Sequence, residues 1–130
     1  MKRKALLFAV GICIAAAPAL AHHSFAAEFD TNKPVKVEGT MTKLEWTNPH
    51  IWVYLDVKDE SGNVARWQCE GGPPNTLTRN GWTKDSLKVG DTITIEGWMA
   101  KDGSKTCNAR SIKLPGGKNV FAGSSNGEGR

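Results

Sequence analysis

Apolar and polar residues alternate without interruption after the polar turn at residues 47–50. One side of this run carries Ile51, Val53, Leu55 and Val57, and the other carries Trp52, Tyr54, Asp56 and Lys58. A period of two residues is typical of a β-strand with one buried face. The pattern therefore predicts a strand whose aliphatic side faces a core and whose outer side carries two aromatic rings.

The next apolar run, residues 64–70, predicts a second strand that pairs with the first. A three-residue loop ending at Gly62 sets Val57 opposite Ala65, so that apolar side chains face each other. A two-residue loop would mix core and solvent positions, because a slip of one residue turns every side chain to the other face. The longer loop also puts glycine at the left-handed position that such loops need.

The remaining runs predict three more strands and a short helical segment. The strands cover residues 35–46, 91–100 and 106–114, and the helical turns cover 75–79 and 83–87. A change of phase between Met41 and Leu44 predicts a bulge in the first strand. Five strands with a helical segment between the third and fourth predict an all-β fold, a small five-stranded OB-like barrel. An open β-sandwich with a similar number of strands is the alternative.

The first 21 residues have the pattern of a secretory signal. A basic segment at residues 1–4 precedes an apolar stretch at 5–17, and small residues at 19 and 21 form a cleavage site. The apolar stretch is shorter than the roughly 20 residues that a spanning helix needs. We therefore expect cleavage after Ala21, a periplasmic or secreted mature protein, and no transmembrane anchor.

These boundaries divide the chain into four parts. The parts are the signal peptide at 1–21, an N-terminal arm at 22–34, the β-barrel domain at 35–121, and a disordered tail at 122–130. The tail is rich in glycine and serine, which bury too little apolar surface to fold.

The net charge argues against nucleic acid as a partner. The whole chain has a charge of +4, but Lys2, Arg3 and Lys4 leave with the signal. The mature domain then carries 14 basic and 13 acidic residues, a net charge of +1. A nearly neutral domain lacks the basic surface that nucleic-acid binding requires.

The sequence gives no pattern for an enzyme. Ser24 and the histidines do not have the spacing of a catalytic triad, and no glycine-rich phosphate loop is present. Glu45, Asp56 and Glu70 are expected to be solvated surface carboxylates. We therefore predict a protein without enzymatic activity.

Cys69 and Cys107 remain in the mature chain, and a pair of cysteines in an exported protein is a candidate disulfide. In the predicted barrel the third strand lies beside the fifth, so both cysteines come within the Cα separation of roughly 4.4–6.8 Å that a bridge needs. Two buried thiols are the alternative.

Three histidines offer a candidate metal site. Cleavage after Ala21 makes His22 the first residue, whose amine and imidazole together chelate copper well. A third nitrogen would come from His23 or His50. Alternatively, the first two histidines belong to a mobile terminus and His50 closes a turn.

The outer face of the second and third strands is a candidate binding surface. Strand faces of OB barrels bind ligands between the loops that join strands one and two and strands four and five. Here the face carries Trp46, Asn48, His50, Trp52, Tyr54, Arg66, Gln68 and Glu70, opposite the loop at 101–105. Aromatic rings mixed with polar groups suit a sugar, a peptide or another flat ligand. Alternatively, the arm or the tail covers Trp52 and Tyr54.

Several short motifs also resemble a family of small exported bacterial proteins known as a domain of unknown function. They are His22-His-Ser24, Glu45-Trp-Thr-Asn-Pro-His50 with Trp52, Glu70-Gly-Gly-x-Pro-Asn75, Gly81-Trp-Thr83, Leu87-Lys-x-Gly-Asp91 and Lys101-Asp-Gly103. The resemblance implies export and a small β-rich domain but no particular activity. Because the signature contains both histidine motifs, it favours a shared role for them.

We therefore expect an exported, non-enzymatic binding module whose ligand is an unknown small molecule or an exported protein. The alternative function is a periplasmic copper-binding protein that uses His22, His23 and His50.

Overall fold

The computed structural model describes residues 25–123 of the 130-residue chain, and these residues form mostly antiparallel β-sheet. The elements are α1 (Phe25–Glu28), β1 (Phe29–Glu45), β2 (Trp52–Lys58), β3 (Val64–Glu70), α2 (Pro74–Arg79), β4 (Thr92–Ala100), β5 (Thr106–Lys113) and β6 (Asn119–Phe121). The predicted all-β class is confirmed. The expected signal peptide and the residues His22 and His23 lie outside the described range.

The strands pair in the order β3-β2-β1-β4-β5-β6, and β3 also pairs with β5 in parallel. The pairings of β1 to β5 therefore form a ring. The parallel register sets Cys69 opposite Cys107, with their Cα atoms 4.5 Å apart, and the two residues form a disulfide. The predicted bridge is confirmed, and the predicted contact of the third and fifth strands accounts for it.

The hairpin of β2 and β3 has the register that its sequence predicts. Val57 lies opposite Ala65 and Val53 opposite Cys69, and Gly62 has a φ of 84°. Val53 is fully buried, as are Ile51 and Leu55 on the same side of the chain. The alternation therefore does separate an inner from an outer face.

β1 is longer and less regular than its sequence predicts. It begins at Phe29, within the segment assigned to an N-terminal arm, and three residues at 31–33 leave the register with β4. The predicted bulge near Met41 is confirmed by a register shift between Met41 and Lys43 against β2. The two irregularities let one long strand pair with both β2 and β4.

The end of the described chain completes the sheet. β6 was not predicted, and Ala122, which the sequence assigns to a tail, is fully buried. Its carbonyl accepts a hydrogen bond from Gly72 N, and its N–H donates to Arg110 O. Residue 122 therefore lies between the end of β3 and β5.

The helical region between β3 and β4 is shorter than expected. α2 matches the first predicted turn and contributes the fully buried Leu77 to the core. The second predicted turn, residues 83–87, is not helical. It is instead a compact turn in which Ser86 N donates to Thr83 O and the Ser86 hydroxyl accepts from Thr83 N. Local side-chain bonding of serine and threonine competes with helix formation there.

The core is continuous through the ring. It contains Val37, Met41, Ile51, Val53, Leu55, Cys69, Leu77, Trp82, Leu87, Ile93, Ile95, Cys107, Ala109, Ile112 and Ala122. Across residues 25–123, no helix is long and apolar enough to cross a membrane.

Candidate functional site

Four side chains form a row across the outside of the ring. Along four neighbouring strands, Trp52 lies opposite Glu70, Glu70 opposite Asn108, and Asn108 opposite Trp98. We call Trp52, Glu70, Asn108 and Trp98 the outer row. Their chain neighbours at 53, 69 and 107 are fully buried, so the row itself faces away from the core.

Glu70 is buried although it faces outward. It is only 8 % exposed, and its Oε1 lies within hydrogen-bond distance of Nδ1 of His50. The His50 side chain is 36 % exposed. An acidic side chain is rarely buried without a partner, because removing its charge from water is unfavourable. The contact with His50 therefore offsets part of the cost of burying the Glu70 carboxylate.

The backbone around Gly71 and Gly72 holds His50 beside Glu70. Ile51 N donates to Gly72 O at 3.1 Å, and Gly71 N donates to Ile51 O at 2.9 Å. A Cβ at position 71 would lie 2.6 Å from Ile51 Cγ1, so only glycine allows this approach. The glycine pair fixes the loop between β1 and β2 against the end of β3.

An open groove of about 740 Å³ lies next to the outer row. Its walls come from α1, from the outer faces of β2 and β3, and from the hairpin between β4 and β5. The lining residues are Ala27, Glu28, Phe29, Trp52, Gln68, Ala100, Lys101, Asp102, Ser104 and Thr106. The groove therefore brings part of the predicted binding face together with the predicted opposing loop.

Polar groups in the groove are held in fixed directions. Gln68 Nε2 donates to Thr106 Oγ1 at 3.1 Å, which leaves the amide oxygen of Gln68 as the acceptor. Hydrogen bonds from the side chain and backbone of Ser104 lower the pKa of the Asp102 carboxyl, so this residue is ionised at neutral pH. The groove thus offers a placed amide and a fixed negative charge.

α1 forms the wall of the groove opposite β2. Lys101 Nζ donates to Ala26 O at 2.5 Å, and Lys101 N donates to Glu28 O at 2.8 Å. The Phe25 ring lies 5.4 Å from the Trp98 ring, edge to face, and 5.5 Å from the Phe29 ring. These contacts attach the start of the described chain to the β4 side of the site.

Tyr54 belongs to a separate cluster on β1 and β2. Its hydroxyl donates to Glu45 Oε2 at 3.3 Å, and Lys43 Nζ lies 5.3 Å from its ring centre. Burial, and then the charge of Glu45, raise the pKa of the Tyr54 phenol. The hydrogen bond from Lys43 lowers the pKa of the Glu45 carboxyl and raises the pKa of the Lys43 amine. The Tyr54 side chain therefore interacts with Glu45 and Lys43 beside the groove and does not line the groove.

The other residues of the predicted face are spread around it. Trp46 is half-buried and packs against the core, and Asn48 is exposed in the loop before β2, where the Asn48–Pro49 peptide bond is cis. Arg66 is exposed, with Nε 3.6 Å from Asp56 Oδ1. Of the predicted face, the structure places Trp52 and Gln68 in the groove and His50 at Glu70.

The predicted metal ligands lie partly outside the described range. His50 is held at Glu70, whereas His22 and His23 precede Phe25. Between residues 25 and 123, no three His, Cys, Asp or Glu side chains lie close enough together to hold a metal ion.

Sequence reasoning placed Glu70 on the outer face but missed its burial. It treated this residue as a solvated carboxylate, because an outward position on a strand usually reaches water. The useful signal was the hairpin register, which sets Glu70 opposite Trp52 and beside the loop of His50. A carboxylate that lies opposite a tryptophan and next to a histidine is a candidate functional-site residue.

Comparison with known proteins confirms the resemblance to a family of unknown function. No curated protein matches the chain by sequence. The profile of a family of unknown function, DUF6152, matches residues 10–109, which is more than half of the chain. The chain therefore belongs to this family of unknown function, DUF6152.

Proposed function

We propose that this protein is an exported, non-enzymatic binding module, built on a closed OB-like barrel and acting in the periplasm or outside the cell. The signal pattern at residues 1–21 supports export. The ring of strand pairings and the position of α2 between β3 and β4 support the barrel. An exported protein could also be the partner, but a groove of this size fits a small ligand better.

One observation carries the proposal most strongly. The groove combines the outer face of β2 and β3 with the loop between β4 and β5, which is where OB barrels bind their ligands. Trp52 offers an aromatic surface, and Gln68, Ser104 and Thr106 offer neutral polar groups. Such a mixture suits a polar ligand with one flat apolar face, and a sugar ring is the leading example.

The groove has features of binding rather than of covalent catalysis. Both cysteines of the described chain form the disulfide, so neither supplies a thiol nucleophile. The ammonium of Lys101 is bonded to α1, and Asp102 is held by Ser104. These groups are fixed in place, which suits recognition of a ligand.

Replacing Trp52 tests the binding proposal. We expect a Trp52→Ala variant to lose at least tenfold in affinity for an oligosaccharide found by calorimetric screening, about 1.4 kcal/mol, because the stacking surface is removed. Arg66→Ala is the matched control, since Arg66 lies on the outer face of β3 but does not line the groove. The melting temperature of both variants establishes that they fold.

Two results contradict the groove as the site. One is binding that survives the loss of Trp52 in a folded variant. The other is an equal loss of affinity in the Arg66 control, which would point to the whole outer face instead.

A copper site is the second candidate function. The contact of His50 Nδ1 with Glu70 Oε1 favours it, because metal-ligating histidines commonly donate the N–H of their other ring nitrogen to a carboxylate. The site would use His22, His23 and His50. We expect the signal-cleaved protein to take up one Cu²⁺ in a titration followed by electron paramagnetic resonance. Uptake that is unchanged in a His22→Ala variant would exclude the terminal chelate.

A further inference from the structure

A second cavity lies on β1, β4 and β5, apart from the groove beside Trp52. It has a volume of about 400 Å³, and we call it the Arg110 pocket. Its walls include Pro34, Lys36, Glu96, Gly97, Trp98 and Arg110. The groove and the Arg110 pocket have no lining residue in common, so they are separate sites.

Two irregularities of the sheet meet at the Arg110 pocket. Between residues 96 and 97 of β4 the register with β5 shifts, so Arg110 is an extra residue of β5 without a counterpart in β4. Along the other edge of β4, residues 31–33 of β1 leave the register, and Pro34 resumes it opposite Trp98. Bulges bend a strand and redirect a side chain, and they are common next to functional sites. Here they place an exposed arginine beside a tryptophan.

The guanidinium of Arg110 is held in place but keeps its charge available. Its Cζ lies 5.9 Å from the ring centre of Trp98, within the range of a cation–π contact. Phe25 packs edge to face on the same indole, which fixes the ring from another side.

The charges around the pocket leave Arg110 without a carboxylate partner. Lys36 Nζ lies 3.3 Å from Glu96 Oε1, so these two side chains neutralise each other. No carboxylate of residues 25–123 forms an ion pair with Arg110. The pocket therefore carries one positive charge, on a planar group whose N–H donors match a carboxylate.

We propose that the Arg110 pocket binds a small organic acid. The guanidinium of Arg110 donates two parallel hydrogen bonds to one carboxylate, and the apolar body of the acid packs against Trp98 and Pro34. A singly charged acid matches the single positive charge, whereas the larger charge of a phosphate ester is repelled by Glu96. This site is additional to the proposed groove and does not depend on it.

Benzoate is a suitable probe, because it joins one carboxylate to one flat apolar ring. The titration follows the indole N–H signals of the five tryptophans in proton–nitrogen correlation spectra, and a Trp98→Phe variant assigns the signal of Trp98. We expect a saturable shift at Trp98 and none at Trp52. The neutral isostere benzamide should bind about tenfold more weakly, because it lacks the charge. Added salt should weaken the binding of benzoate, because Arg110 is exposed.

Variants of Arg110 separate the charge from the planar geometry. We expect Arg110→Gln to lower benzoate affinity by about tenfold. Arg110→Lys keeps the charge but loses the paired donors, so its affinity should lie between those of wild type and Arg110→Gln. Arg66→Gln is the matched control, because Arg66 is an exposed arginine outside the pocket and should leave benzoate binding unchanged. Melting temperatures establish that all three variants fold.

Several results would overturn the proposal. They are the absence of a saturable shift at Trp98, equal affinity for benzoate and benzamide, and unchanged benzoate affinity in folded Arg110→Gln. Wild-type affinity in Arg110→Lys would overturn the paired hydrogen bonds. Tighter binding of phenyl phosphate than of benzoate would overturn the choice of a carboxylate. None of these measurements uses an oligosaccharide, so their failure leaves the groove proposal standing.

Discussion

Removing the Cys69–Cys107 disulfide should weaken the fold severely. The bridge joins residues separated by 38 positions, and closing a loop of that length removes conformational entropy from the unfolded chain. In the chain-entropy treatment the bridge contributes about 4 kcal/mol. Domains of this size are stable by only about 5–15 kcal/mol. Reduction should therefore remove a large share of the free energy of unfolding.

The measurement is urea unfolding of the wild-type protein with and without a reductant. Reduction keeps every other side chain, so the difference reports the covalent link. We expect the melting temperature to fall by about 20 °C as well. The Cys69→Ala/Cys107→Ala variant is the control, because the reductant should not change its unfolding curve. Both sulfurs are fully buried, so this variant should also be less stable than the reduced wild type.

A difference below about 1 kcal/mol between oxidised and reduced protein would refute the reasoning. It would mean that the reduced, unfolded chain keeps structure around the two strands. Labelling of free thiols in unfolded, unreduced protein provides the other check. Any labelled Cys69 or Cys107 in the native preparation contradicts the bridge itself.

Two further predictions concern the sheet and the outer cluster. A Cβ at Gly97 would overlap the carbonyl oxygen of Asn108 and lie 2.8 Å from the carbonyl carbon. Gly97→Ala should therefore lower the free energy of unfolding, measured in urea, by about 3 kcal/mol. An unchanged urea midpoint would contradict this close approach of the two strands. Tyr54 is the only tyrosine of the chain, so its ionisation can be followed by ultraviolet absorbance. Because burial and Glu45 raise its pKa, we expect a midpoint above 10.0, and Glu45→Gln should lower that midpoint; no effect of the variant would exclude Glu45 as a cause.

The parts of the fold with regular alternation could be predicted from the sequence. The register of β2 and β3 followed from the alternation and from Gly62, because only one loop length keeps apolar residues together. The early start of β1 could not be predicted, since residues 31–33 leave the ladder and interrupt the alternation. β6 is three residues long and follows two glycines, so it carries almost no local signal.

The site was predictable by residue type but not by arrangement. Trp52 and Gln68 follow from alternation, because both take the outer positions of their strands. The burial of Glu70 depends on neighbours from other parts of the chain, including His50 and the strand of Asn108. Propensity and periodicity describe one strand at a time, so they contain no information on such neighbours.

The position of Ala122 has a consequence for how the protein tolerates shortening. Its hydrogen bonds join it to Gly72 and Arg110, which lie much earlier in the chain. Closing a long loop costs conformational entropy, so such contacts form only after the strands that they join are in place. Until then the end of β3 lacks this neighbour and the core lacks part of its wall. Cutting the chain before residue 122 should therefore loosen the end of β3, although every residue of β1 to β5 is kept.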